Sequence, residues 1–230
     1  MTYLWLGLLW LLWGAGLLGD SFARSLAVSL SNFVGAYALW WGAARSPTIL
    51  RGALSGLAVG LLVLGVGDLL YTYNLASGLD TRALREGIYL VGAVLLLLMG
   101  GLLPFRMERQ GLYPLGFAQR LALLAGLGGV LLSALATLIR PLSLLELIYA
   151  GVAFSLTLLF VQQTPVLAGG RIGRYLRGVV WALVLGSLAR LVYILGGAPP
   201  ALWSVVAYDV LWMLAMSVLL LGVIKAPKNP

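Results

Sequence analysis

Four ionisable side chains fall inside long apolar runs: Asp68, Glu146, Arg190 and Asp209. A charge held in hydrocarbon is costly, so each such residue is a functional candidate by default. At 1.5 Å of rise per residue, Asp68 lies about 8 Å, Glu146 about 6 Å, Arg190 about 9 Å and Asp209 about 12 Å below the outer ends of their predicted spans. Tyrosines accompany them: Tyr71 and Tyr73 follow Asp68, Tyr149 lies one turn past Glu146, Tyr193 is one turn from Arg190, and Tyr208 adjoins Asp209. Helix bundles commonly hold ligands between facing helices. The pattern therefore predicts a polar, aromatic cavity in the outer half of the bilayer, with Asp68, Glu146, Arg190, Asp209, Tyr71, Tyr193 and Tyr208 as its binding residues. Two plainer readings compete. Arg190 could simply pair with Asp209 or Asp68 to hold the bundle together, or the charged groups could snorkel to the interface. Three acids against one base favour a cationic ligand, or protonation of one carboxylate by desolvation. Gln162 and Gln163 fall at the inner end of their span, where the polarity of a connecting segment accounts for them.

The residue inventory excludes many chemistries. There is no Cys and no His, so disulfides, iron–sulfur clusters, thiolate or imidazole metal sites, His-ligated haem and His general bases are absent. No G-x-x-x-x-G-K-[ST] phosphate loop or paired Asp-rich prenyl-transfer motif occurs. Ser and Thr are scattered without a basic partner. Asp209 and Met213 are spaced as the Asp and the retinal-bearing Lys are on the last helix of microbial rhodopsins. The only lysines here are Lys225 and Lys228, so no retinal Schiff base can form. Neither a cofactor nor a metal is expected, and no catalytic residue is assigned.

The elements that carry these side chains are read as membrane helices. Of the 230 residues, 62% are hydrophobic and only 10% charged, with a mean hydropathy of +1.03. Soluble domains carry roughly a quarter of their residues charged. The apolar runs have the length that crosses a hydrocarbon core of roughly 30 Å, and their Leu, Gly, Ala and Val content predicts helices rather than the alternating strands of a barrel. Eight spans are predicted, near 3–19, 26–44, 52–73, 87–105, 116–139, 142–164, 176–196 and 201–224, in a single all-α polytopic bundle covering 1–230. Turn signals separate them at Gly19-Asp20-Ser21, Arg45-Ser46-Pro47, Ser77 to Asp80, Arg106 to Pro114, Arg140-Pro141, Gly169 to Arg174 and Gly196 to Pro200. Arg45, Arg51, Arg106, Arg109, Arg120, Arg171, Arg174, Arg177, Lys225 and Lys228 fall at one side of this arrangement, and only Arg24, Arg82, Arg85 and Arg140 at the other. Positive charge collects in the cytoplasm, which puts both termini there and the protein in the inner membrane among its lipids. That bias also accounts for the net charge of +8 without nucleic acid, for which no basic, aromatic-bearing domain exists. The opening residues lack the basic region of a signal peptide, so the first run is expected to be retained as a span. Trp40, Trp41, Trp181 and Trp203 near span ends fit interfacial anchoring. Gly52, Gly56 and Gly60 present one smooth face to a neighbouring helix.

One stretch carries a resemblance. Arg51 begins an apolar run that ends Gly67-Asp68-Leu69-Leu70-Tyr71, followed by Arg85-Glu86-Gly87-Ile88-Tyr89-Leu90-Val91-Gly92 and a further apolar run. This resembles the multipass N-terminal membrane regions of bacterial diguanylate cyclases and sensor histidine kinases, across about a quarter of the chain. Glu86 stands where those regions usually have Asp. The resemblance implies a sensing module. With the chain ending at Pro230, directly after its last span, it implies one without its own output domain, signalling through a separate protein, or a fragment of a longer chain. The Gly-Asp pair is also similar to that of lysoplasmalogenase-type membrane hydrolases, but the histidine and the later Ser-Asp pair of that family are missing.

Three functions are therefore in view. The first is a membrane sensory or ligand-binding module for a small or lipid-like ligand from the outer side. The second is a proton- or cation-coupled transporter, for which the inner half offers no matching polar path. The third is a lipid-acting enzyme with Asp68 and Asp209 as acid and base.

Overall fold

The computed structural model describes residues 2–18, 21–167, 171–197 and 200–224. Of the residues read as turn or orientation signals, Gly19, Asp20, Gly169, Gly170, Ala198, Pro199, Lys225 and Lys228 lie outside them, as do the side chains of Arg171 and Arg174. Among the described residues the regular structure is α-helical: α1 (Thr2–Leu17), α2 (Ser21–Arg45), α3 (Thr48–Ser77), α4 (Arg82–Arg109), α5 (Phe117–Thr137), α6 (Leu144–Leu167), α7 (Arg171–Leu195) and α8 (Leu202–Ile224). Each overlaps one predicted span. Six of them, α3 to α8, are long and apolar enough to cross a membrane, and the architecture is that of a multi-pass helix bundle. The other two differ for identifiable reasons. α1 has only 16 residues. α2 has 25, but Ser29, Ser31 and Asn32 dilute its hydropathy, and all three are buried. Its polarity faces the bundle, not the lipid.

Helices α2, α3 and α4 outrun their predicted spans at both ends, most clearly α3 and α4. An apolar run ends where water begins, whereas a helix continues until something stops its hydrogen-bond ladder. In α3 the stop is Gly78, whose φ of 69° is left-handed and whose N–H bonds the Asn74 carbonyl. A side chain there would be strained, which is why glycine serves as the cap. The connection between α4 and α5 is fixed by Glu108, which accepts hydrogen bonds from the Gly116 and Ala118 backbone N–H groups at 2.9 and 2.8 Å. The sharp reversal at Arg140-Pro141 is present between Thr137 and Leu144.

Helices α2, α3, α4, α6, α7 and α8 form a closed ring, each packed on the next, with α8 returning to α2. α1 lies outside the ring against α2, and Leu9 and Trp13 join Met213 of α8 in one cluster. α5 lies outside against α4 and α6. The glycine face of α3 meets α4: a side chain at Gly52, Gly56 or Gly60 would run into Arg106, Met99 or Leu96 respectively. The two ends of the ring are unlike. At the end holding the α3 N-terminus, Leu50, Leu54, Leu103, Met107 and Phe160 are almost wholly buried in one continuous apolar core. Gln163, read from sequence as loop polarity, is in fact fully buried here. It accepts from the Tyr113 hydroxyl at 3.2 Å and donates to the Leu159 carbonyl at 3.0 Å, because a buried amide must be bonded internally. The opposite end is polar and aromatic.

Candidate functional site

Asp68 is the centre of the polar end. Its neighbour Gly67 leaves no side chain between α3 and α4, and the ring of Tyr89 fills that space; a Cβ at Gly67 would lie 2.6 Å from Tyr89 Cε1. The Tyr89 hydroxyl donates to Asp68 Oδ1. From the other side Asn32 Nδ2 donates to Asp68 Oδ2 at 2.5 Å, and Trp212 Nε1 donates to Asn32 Oδ1 at 3.0 Å. Four helices thus converge on one carboxylate, directly or through Asn32. One turn further along α3, toward its C-terminus, Thr72 bonds Ser25 and Ser29 of α2 at 2.8 and 3.0 Å, which fixes the α2–α3 register beside the site.

An aromatic wall continues from this centre. Tyr89 meets Tyr149 of α6 edge-on at 5.9 Å. Trp212 stacks on Tyr208 at 6.0 Å, and Tyr208 meets Tyr193 of α7 edge-on at 5.6 Å. Asp68 and Tyr208 are half-buried, each keeping part of its surface accessible. Arg190 closes the circuit. Its guanidinium lies 5.5 Å from the Tyr193 ring, Nη2 makes a long 3.4 Å contact to the Glu146 carbonyl, and Nε is buried with no hydrogen-bond partner.

The predicted residues separate into two groups. Asp68, Arg190, Tyr193 and Tyr208 come together. Glu146 borders them only through its backbone carbonyl. Its carboxylate pairs with Arg140 at 2.6 Å and accepts from the Ser143 N–H and hydroxyl at 3.0 and 3.1 Å. The Ser143 hydroxyl in turn accepts from the Glu146 N–H, a reciprocal cap that starts α6. Asp209 is turned toward α2, where Arg24 pairs with it at 3.0 Å and Trp13 of α1 adjoins it. Tyr71 is 44% exposed beneath Arg85 at 5.1 Å, outside the circuit. The ion pairs of Arg190 with Asp209 or Asp68, offered by the plainer competing reading, do not form. Depth along a helix follows from residue number, but the direction a side chain takes around the helix decides its partner. Arg190 points to α6 and Asp209 to α2.

Sequence reasoning passed over Asn32, Tyr89 and Trp212 as site residues, and read Arg24 and Arg140 as orientation charges. The signal for Asn32 was present in the run Ser29-Leu30-Ser31-Asn32, polar inside an apolar span. Gly67 and Asp68 lie against Tyr89, and a side chain at Gly92 would strike Leu64. Comparison with family models, with curated proteins and with solved structures finds no match.

Proposed function

We propose that this chain is a sensory or ligand-binding module of the inner membrane, crossing it eight times with both termini in the cytoplasm, and that the circuit around Asp68 is its ligand site, open to the outer side. The observation that carries this reading is that all six ring helices contribute to one connected network: Asn32, Asp68, Tyr89, Tyr149, Arg190 and Tyr208, from α2, α3, α4, α6, α7 and α8 in turn. A ligand seated there touches every helix of the ring, so its arrival can bias their packing together, which is what a sensor requires. The outward opening rests on the excess of arginine at the opposite end.

The alternatives have less support. A transporter needs a polar path through the other half of the ring, where Leu50, Leu54, Leu103, Met107 and Phe160 lie buried in one apolar core. A hydrolase using two carboxylates lacks a free second one, because Arg24 holds Asp209.

Thermal unfolding of Asp68→Asn and Arg190→Gln in detergent tests the reading. Residues kept for a ligand at the expense of stability yield variants as stable as the parent or more so. A large fall in the unfolding midpoint of both would make the network a structural clamp and remove the proposal.

A further inference from the structure

Resting on the reading of this network as a ligand site, the charge left over after internal pairing identifies the ligand class. The charges inside the predicted spans, three acids against one base, favoured a cationic ligand or protonation of one carboxylate. The pairings reverse that count. Glu146 is matched by Arg140, Asp209 by Arg24, and Glu86 by Arg82 at 2.8 Å. Asp68 has a donor on each oxygen. Arg190 meets a carbonyl at long range and a tyrosine ring, with no carboxylate within 4.0 Å among the described residues. Arg85, the next cation beside Asp68 and Tyr89, likewise lies over a ring and not against an acid.

We infer that the site takes an oxyanion, a carboxylate or phosphate group carrying an apolar or aromatic body. The anion sits on the Arg190 guanidinium, and the body lies against Tyr149, Tyr193 and Tyr208. A guanidinium in low dielectric with an unbonded Nε is poorly compensated. A planar two-oxygen anion supplies acceptors in the geometry of its fork. The tyrosine faces supply apolar contact area, and the Tyr208 hydroxyl, which makes no hydrogen bond among the described residues, is a spare donor for the same anion. The group could belong to a water-borne molecule or to an anionic lipid headgroup entering between helices.

The test is the unfolding midpoint of the full chain in neutral detergent with benzoate, with inorganic phosphate and with tetramethylammonium. A parallel arm uses nanodiscs of phosphatidylcholine with or without phosphatidylglycerol. An anion at hundredfold its dissociation constant raises the midpoint by about 4 °C or more. The shift is lost in Arg190→Gln and reduced in Arg190→Lys, which keeps the charge but not the fork. A shift confined to phosphatidylglycerol assigns the anion to a lipid; a shift with benzoate or phosphate assigns it to a soluble molecule. Stabilisation by tetramethylammonium alone, abolished in Asp68→Asn, overturns the oxyanion and leaves the ligand site standing. An anion shift unchanged in both Arg190 variants overturns it as well. No shift from any probe, free or lipid-borne, overturns the oxyanion. If Asp68→Asn and Arg190→Gln are then strongly destabilised too, the ligand site falls with it.

Discussion

Two arginines on the helices flanking α8 do opposite work. Arg24 compensates Asp209 in a largely buried pair, whereas Arg190 compensates nothing and is itself poorly bonded. Removing one member of a buried pair strands the other, at a cost of about 3 kcal/mol or more. Arg24→Gln is therefore expected to lower the stability of the detergent-solubilised protein by that order, and Arg24→Gln combined with Asp209→Asn to recover most of it. A double variant as unstable as the single one would show that Arg24 acts through packing and not charge. The sequence identified the acids because aspartate in an apolar run is conspicuous. It did not identify their partners, because Arg24 and Arg140 lie near span ends, where positive charge has a sufficient explanation in topology. Tyr89 was passed over for a similar reason, since tyrosine near an interface needs no further account. The residue-level site was thus legible in its charges and illegible in the groups that satisfy them.

At the scale of helices, the glycine face of α3 was legible in full: a four-residue spacing specifies one stripe, and α4 lies on it with Arg106, Met99 and Leu96. In lipid, where helices gain nothing by hiding apolar surface from each other, such close approach is a main source of association. Gly60→Val forces a branched side chain against Leu96 and should destabilise by about 1–3 kcal/mol in detergent unfolding, as overpacking does. Gly126→Ala, where an added Cβ meets nothing within 4 Å, should be neutral or stabilising. Equal effects at the two positions would contradict the α3–α4 packing. Gly67→Ala is a finer probe. It displaces the Tyr89 ring, so it should weaken the response to an added anion by more than its loss of stability explains. Helix ends were less legible than helix existence, because hydropathy stops at the headgroups while the backbone ladder runs on to a cap such as Gly78.

For the whole molecule, neither the closed ring nor the peripheral places of α1 and α5 could be read from the chain. Hydropathy gives each helix an axis and a length but not its neighbours, and the packing of α4 on α6 across the intervening α5 follows no rule of succession. The ring nonetheless explains the unequal ends: one carries a continuous apolar core, and the other converges on Asp68, Arg190 and Tyr208. Whether water and solutes reach that network from the outer side of the proposed topology is directly measurable, because the chain has no cysteine of its own and a single introduced thiol is read against no background. An impermeant thiol reagent applied to intact cells should modify the Tyr208→Cys variant and the exposed Leu202→Cys variant, and leave Leu219→Cys, in the packed end of α8, unmodified. Modification of Leu202→Cys with Tyr208→Cys as inert as Leu219→Cys would contradict an open site at the outer end of the ring.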